Sequence, residues 1–377
     1  MMNALEKLKY PLVQPIFKSL EAFQPMCTAV LEGIWPGNIW VDDPEQPQSA
    51  MLVSFLSGGG AAWCFLAGEP DNASFNTALN KALFEDKVAG GNVGAFLLTS
   101  SSEGWEKNLE VIGDPRQPAP MSRLHYVCHN LTYDWKQHLP DGCAIQRMEP
   151  ALLTQSKLDL PESVRTTLEC WCSIDDDRFQ DYGFVVVYKS QVVSWATVDF
   201  VTAGAGDVGF ETLSAFRRRG LGSVAAAAAL EHGLKHGIEV HWTCAKDNLG
   251  SLRTAQKLSL TLEREYSMYL FMFDLTTHLT QLAYSYLAKG EHQKAIAVYE
   301  QLFAREDSLP AWAYFDAAQA WAAVGDSENA LKYLSFAVQK GWAEIAVTEQ
   351  TPEFQILYNT QEWTELLEQM KQSENSP

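Results

Sequence analysis

The chain has 377 residues, 47% of them hydrophobic and 20% charged, with a formal net charge of −19. That length exceeds one ordinary core of roughly 100–150 residues, so two or three domains are expected, and the composition is that of a folded protein. The acidic balance argues against nucleic acid as a partner, because phosphate neutralisation supplies most of that affinity, and it suits a cationic or amine-bearing one.

No apolar run approaches the roughly 20 residues of a membrane span. Residues 1–15 lack the apolar core and cleavage site of a secretory signal, so a cytoplasmic location away from membranes is expected. The seven cysteines are odd in number and scattered, which argues against a disulfide framework. Cys170 and Cys172 have no second pair at zinc-site spacing, so no metal is expected.

In the first region, about 1–140, short apolar runs alternate with turn signals. Residues 39–41, 50–55 and 63–66 read as strands, bounded by Asp42-Asp43-Pro44, Gly58-Gly59-Gly60 and Gly68-Glu69-Pro70. Phe75, Leu79, Ala82 and Leu83 at helical spacing after Asp71-Asn72 predict a helix over 74–84. A strand at 95–98, a helix at 103–112, a loop at 114–120 and a strand at 123–128 follow.

The second region, about 141–275, opens with a strand at 144–148 and a helix at 161–172, then an acidic loop, Asp175-Asp176-Asp177. Strands at 184–189 and 192–200 form a hairpin turning at Ser190-Gln191. A small-residue loop at 202–207 leads to a strand at 208–213. Residues 222–236 read as a helix, because 225–229 are all alanine, and Gly237 is placed to end it. A strand at 240–244, a helix at 248–258 and a strand at 265–273 complete the region.

The third region, about 276–377, is helical with a period of 35 residues. Leu282, Ala283, Tyr286, Gly290, Ala295 and Tyr299 are matched by Ala317, Ala318, Trp321, Gly325, Ala330 and Leu334. In each unit a Gly relieves the turn between two helices and an Ala lets them approach. The pattern resembles tetratricopeptide repeats, whose period is about 34, with a last amphipathic segment at 353–370. An ordinary four-helix packing is the alternative.

Arg217-Arg218-Arg219-Gly220-Leu221-Gly222-Ser223 stands between a strand and the alanine-rich helix. Its glycines allow a tight turn with outward N–H groups, and the helix N-terminus adds roughly half a positive charge. From 212 to 230 there are three arginines and no acidic residue, a local reversal of sign suited to a pyrophosphate. A surface turn with a basic cluster is the bland alternative. Neither the P-loop nor the dinucleotide spacing is present.

This segment resembles the acyl-CoA motif of the GNAT superfamily, R/Q-x-x-G-x-G/A, met by Arg217, Gly220 and Gly222 and preceded by the aromatic Phe216. Trp242-Thr243-Cys244 followed by Asn248, Ser251, Ala255 and Lys257 matches the family's next strand and Asn-led helix. Trp40-Val41-Asp42-Asp43-Pro44, Pro47 and Ala67-Gly68-Glu69-Pro70 resemble a subfamily with an extra N-terminal GNAT-like domain.

The resemblance implies an α/β (α+β) chain with tandem GNAT-like domains on mixed, mostly antiparallel sheets, plus a C-terminal helical repeat domain. A degenerate GNAT-like domain is expected over 1–140, an acetyltransferase domain over 141–275 and repeats over 276–377. It implies an N-acetyltransferase with acetyl-CoA as cosubstrate and a primary amine as acceptor, the repeats being open to a protein partner. A non-catalytic acyl-CoA-binding scaffold and a pure interaction protein are the alternatives.

Arg217, Arg218, Arg219, Gly220, Leu221, Gly222 and Ser223 would hold the pyrophosphate. The backbone at Thr212 and Leu213 would hold the thioester. Asn248 and Ser251 would lie near the cofactor, Asn248 also being a good helix N-cap. Glu211, the nearest carboxylate in sequence, is the candidate base, with an exposed strand residue as the alternative. The tyrosine that protonates the departing thiolate in many family members is Ala255 here, which leaves Tyr266, Tyr269 and Cys244 as substitutes. His232, His236 and His241 read as packed or exposed, and Lys257 as a solvated helix residue.

Overall fold

The structure, a computed structural model, describes residues 2–55, 60–90, 93–173, 182–305 and 309–374. Gly58, Gly59 and the acidic loop at 175–177 lie outside them. The chain divides into two compact units, Met1–Asp114 with Pro120–Phe271 and Pro115–Ala119 with Met272–Pro377. Among the described residues no helix is long and apolar enough to cross a membrane.

The first half of the larger unit supplies β1 (Asn3–Ala4), α1 (Gln14–Glu21), α2 (Pro25–Leu31), β2 (Gly37–Val41), β3 (Ser49–Phe55), β4 (Ala61–Gly68), α3 (Ala73–Phe84), β5 (Ala95–Ser100), α4 (Leu109–Gly113) and β6 (Ala119–Cys128). The second half supplies β7 (Cys143–Arg147), α5 (Glu162–Ser173), β8 (Gly183–Tyr188), β9 (Gln191–Asp199), β10 (Ala205–Thr212), α6 (Leu221–Lys235), β11 (Glu239–Ala245), α7 (Leu249–Lys257) and β12 (Thr261–Met272).

These strands form one sheet in the order β1-β2-β3-β4-β5-β12-β6-β11-β10-β9-β8-β7. Both halves repeat one plan: an antiparallel meander, a helix crossing over to a parallel strand, and a last strand. α3 links the parallel pair β4 and β5, and α6 links the parallel pair β10 and β11. The two last strands are exchanged, so that β12 lies beside β5 and β6 beside β11.

The expected elements of the second region all appear, with small shifts at their ends. The β8–β9 hairpin turns at Lys189-Ser190, one residue before the expected position, where both residues have positive φ, 47° and 62°. β10 starts inside the expected loop, because Thr202 Oγ1 accepts from the Ala205 amide at 3.1 Å and closes the turn early.

α6 lies on the apolar face of β8–β11. Ala225, Ala226, Ala227 and Ala229 are fully buried there with Val186, Val198 and Val240. A Cβ at Gly233 would meet Val240 Cγ2 at 2.6 Å, so a small residue is required where helix and strand come closest.

The smaller unit holds α8 (Leu275–Ala288), α9 (His292–Phe303), α10 (Ala311–Ala323), α11 (Ser327–Gln339), α12 (Ile345–Gln350) and α13 (Gln361–Glu374). α8 packs on α9 and α10 on α11 as hairpins. Gly290 and Gly325, at φ 74° and 84°, make the two turns, while Ala295 and Ala330 are fully buried. The expected last segment is a short 3-10 stretch, Pro352–Leu357, followed by α13.

Candidate active site

The two motif glycines serve different ends. Gly220 is the N-cap of α6 in the left-handed region, at φ 82°. A Cβ there would meet only Lys257 Nζ at 3.7 Å, so the backbone conformation, not space, calls for glycine. At Gly222 a Cβ would come to 3.0 Å from the Phe210 ring and 3.1 Å from Thr212 Oγ1, so there the requirement is close approach of helix to strand.

No side chain caps the first turn of α6. By contrast, the Phe75 amide in the first turn of α3 donates to Asn72 Oδ1 at 3.1 Å. The uncapped amides of α6, its positive end and the arginines at 217 and 218 stand together, a cradle of the kind that can receive an anion. Arg217 Nε donates to the Thr212 carbonyl at 3.1 Å. Arg219 turns away, with Nη2 donating to the Ala215 carbonyl at 3.2 Å and its guanidinium over the Phe216 ring. Lys257 is exposed, and its ammonium stands beside Gly220.

β10 and β11 stay paired over three residue pairs, from Ala205↔Glu239 to Asp207↔His241, and then part. The corresponding β4–β5 pair stays closed over six. A cavity of about 860 Å³ fills the gap, lined by Val208, Gly209, Phe210, Glu211 and Thr212 on one side and Trp242, Thr243, Cys244 and Ala245 on the other. It reaches Arg217, Arg218, Gly220, Leu221, Gly222 and Ser223 at the cradle, and Asn248, Ser251 and Arg253 at the start of α7.

Strand alternation decides which amides face the gap. The Leu213 amide donates to the Val193 carbonyl at 3.0 Å, inside the ladder with β9. The amides of Phe210 and Thr212 therefore point the other way, into the opening. Leu213, expected to share the thioester with Thr212, has no amide left to offer and does not line the cavity.

Asn248 is the N-cap of α7, its Oδ1 accepting from the Ser251 amide at 3.1 Å, and Ser251 Oγ accepts from Trp242 Nε1 at 3.0 Å. Glu211 is exposed at the cradle end of the cavity. Ala255 is fully buried. Tyr269 lies by Glu106, away from the cavity, whereas Cys244 is in its wall, its thiol pushed up by burial.

Around β10 and β11 the face of the sheet opposite α6 is polar, and the sequence reading missed it. Register places Asp207, Gly209 and Glu211 of β10, Asp199 and Thr197 of β9, His241 and Thr243 of β11, and His125 and Arg123 of β6 together on it. Thr197 Oγ1 donates to Asp199 Oδ2 at 2.9 Å. Thr243 Oγ1 lies 3.4 Å from Asp207 Oδ2 and accepts from Arg123 Nη2 at 3.2 Å.

Burial pushes the Asp207 carboxyl up to about 7; Asp199 adds to the rise, while Arg123, the Thr243 hydroxyl and the Val208 amide oppose it. Burial likewise takes Asp199 up to about 6, against its bond from Thr197. The residues are partly open, yet one carboxylate oxygen of each is enclosed without a hydrogen-bond partner. Tyr266, expected as a proton donor, is on this polar side, its hydroxyl buried beside Arg123 and Gln24.

His125 and His241 are 2.8 Å apart, Nε2 to Nδ1, and burial holds both pKa values down, His125 to about 3. The polar–apolar alternation of Asp207-Val208-Gly209-Phe210-Glu211 was the available signal for this face. Among the described residues no cluster of metal-ligating side chains occurs.

A family model described as GNAT acetyltransferase matches residues 15–269. The chain belongs to the GNAT acetyltransferase family. This GNAT enzyme is 25% identical over 271 residues to an uncharacterized N-acetyltransferase, YdfB, of Bacillus subtilis (strain 168), a match covering 71% of this chain and 98% of that protein. Among solved structures, a GCN5-related N-acetyltransferase-like protein from Streptococcus suis 89/1591 shares 20% identity at a TM-score of 0.48, covering 70% of this chain and 98% of that one. A GCN5-related N-acetyltransferase from Sphaerobacter thermophilus shares 11% identity at a TM-score of 0.48, covering 72% and 95%.

Proposed function

We propose that this GNAT enzyme is an acetyl-CoA-dependent N-acetyltransferase acting on a primary amine. The observation that carries the reading is the parting of β10 from β11 directly in front of an uncapped, arginine-flanked helix N-terminus. The residues fit the cosubstrate. The cradle takes a diphosphate, Arg253 and Lys257 add positive charge beside it, and the amides of Phe210 and Thr212 offer a strand edge to a pantetheine arm.

From Thr212 back to Asp207 a strand covers about 17 Å, comparable to an extended pantetheine arm. The thioester then sits at the parting of the strands rather than at Thr212 and Leu213. Glu211 lies at the diphosphate end, and Asp207 lies behind Thr243 at the reacting end. The amine proton passes to Thr243 Oγ1 as the hydroxyl proton passes to Asp207 Oδ2. A carboxyl of pKa about 7 suits that transfer at neutral pH. Cys244, held protonated by burial in the cavity wall, is the proton source for the departing thiolate in place of the absent tyrosine.

Residues 1–140 read as a degenerate GNAT-like half, 141–275 as the transferase half and 276–377 as tetratricopeptide-like repeats that recruit a protein partner. The repeated strand plan supports the tandem reading. The closed β4–β5 pair and capped α3 support a single cofactor site.

Calorimetry with acetyl-CoA and release of free thiol with a panel of amines test the assignment. Binding is expected to be lost in Gly220→Asp/Gly222→Asp, where carboxylates replace the open amides' anion. Unchanged affinity in that variant would place the cofactor elsewhere.

A further inference from the structure

The polar face around Asp207 has a pattern of unmet hydrogen bonds that specifies a ligand more closely than "amine". Besides His125 Nδ1, which belongs to the histidine pair, five of its enclosed polar atoms have no partner at full hydrogen-bond geometry: Asp199 Oδ1, Asp207 Oδ1, Arg123 Nε, Gln24 Nε2 and the Tyr266 hydroxyl. Buried polar atoms are ordinarily paired, and a concentration of unpaired ones calls for an occupant. The five are neighbours. Asp207 feels both Asp199 and Arg123, and the Tyr266 hydroxyl is close enough to Gln24 and Arg123 for weak hydrogen bonds from both, which an anion between them would replace with stronger ones.

They divide by chemistry into two groups. Asp199 and Asp207 offer only acceptors when ionised, and suit an ammonium. Arg123 and Gln24 offer donors, with the Tyr266 hydroxyl able to donate beside them. Arg123 has no carboxylate in salt-bridge contact among the described residues. A half-buried guanidinium left in this state suits an anion.

Access comes from Gly209, a cavity-wall residue with no side chain. A Cβ there would meet only Thr197 Oγ1 at 3.7 Å and Asp199 Oδ2 at 3.8 Å, so the missing side chain leaves a passage to the carboxylates. Arg123 reaches the same cavity from β6, under the ring of Trp63, which its guanidinium faces at 5.7 Å. Gln24 is buried just ahead of α2. The first half of the unit thus supplies two of the five groups.

We propose that the acceptor is a zwitterionic amine, a free amino acid, whose ammonium is received by Asp199 and Asp207 and whose carboxylate is received by Arg123, Gln24 and Tyr266. This rests on the transferase reading above. Neither charged end of such a ligand leaves a buried group unmatched, whereas a simple amine brings Arg123 no carboxylate.

The test is thiol release by the full-length protein with acetyl-CoA and matched acceptors: amino acids, their amides, and the amines lacking the carboxylate. Assays run at about pH 8.5, above the Asp207 pKa of about 7, so that a change at Arg123 does not act through that group's protonation. Amino acids are expected to have a KM lower by about tenfold or more than their amides, the worth of one charge-assisted hydrogen bond.

Arg123→Gln should remove that preference by raising KM for amino acids alone, and Arg123→Lys should restore part of it. Gly209→Ala, which has room for its Cβ, should melt like the wild type yet raise KM for every acceptor. Equal turnover of amides and amino acids, or an Arg123→Gln defect shared by both, would overturn the inference while leaving transfer intact. Acetyl-CoA binding without thiol release from any amine would instead remove the transferase reading, and this inference with it.

Discussion

Replacing Asp207 by Asn separates what burial costs the fold from what the carboxylate does in transfer. Asp207 is displaced from its ordinary 3.8 to about 7, chiefly by burial. At roughly 1.4 kcal/mol per unit, the displacement corresponds to about 4 kcal/mol. The native state holds this proton more tightly than the unfolded chain does. Stability therefore falls as pH rises from about 4 to about 7, and the loss is complete above that window.

Asn has the same shape, keeps the contact with Thr243 and carries no charge to desolvate. At about pH 8 Asp207→Asn should be more stable than the wild type, with a Tm higher by roughly 5 °C or more for a unit of this size. At about pH 4 the two should melt together. Thiol release should meanwhile fall by about 10²- to 10⁴-fold, the usual worth of a general base. Melting curves across pH, paired with turnover, check both halves. A variant less stable at pH 8, or one transferring acetyl at a rate near wild type, would refute the assignment of Asp207.

In the wild type, kcat/KM should rise with pH through an apparent pKa of about 7, since the base works only when deprotonated, and Asp207→Asn should abolish that limb. Gly220→Ala should cost about 1–2 kcal/mol for a left-handed non-glycine residue, read in denaturant melts. Gly222→Ala should instead push α6 from Phe210 and Thr212 and weaken acetyl-CoA binding in calorimetry. Ala255→Tyr should not restore a proton donor: the site is fully buried, and overpacking should cost about 1–3 kcal/mol with no gain in kcat. Asn248→Ala should cost about 1 kcal/mol through loss of the α7 cap.

The glycine turn and its helix were legible in the sequence because their causes are local. A glycine at a left-handed turn, a second glycine under a strand and a run of alanines each leave a mark within seven residues. The same holds for Gly290 and Gly325, whose turns follow from the residues beside them. α1 and α2 were not read, since they are only 8 and 7 residues long and a proline stands in each, although each proline sits in a first turn where it is tolerated.

The desolvated carboxylate was not legible, for a different reason. Sequence proximity pointed to Glu211, but the setting of the buried carboxyl at Asp207 depends on Arg123, Asp199 and Thr243, brought from three other strands by the sheet. Leu213 was assigned by position alone, whereas the direction of its amide is set by pairing with Val193.

The exchange of β6 and β12 has a consequence for how the protein is made. Residues 1–128 leave the ribosome with β5 and β6 already synthesised, yet the place between them belongs to a strand that ends at residue 272. The sheet cannot close until translation has gone past that strand, so the amino-terminal half must wait, with open strand edges, for more than its own length again. Once closed, a nick between 128 and 143 would leave two fragments that stay clasped, each holding a strand the other lacks.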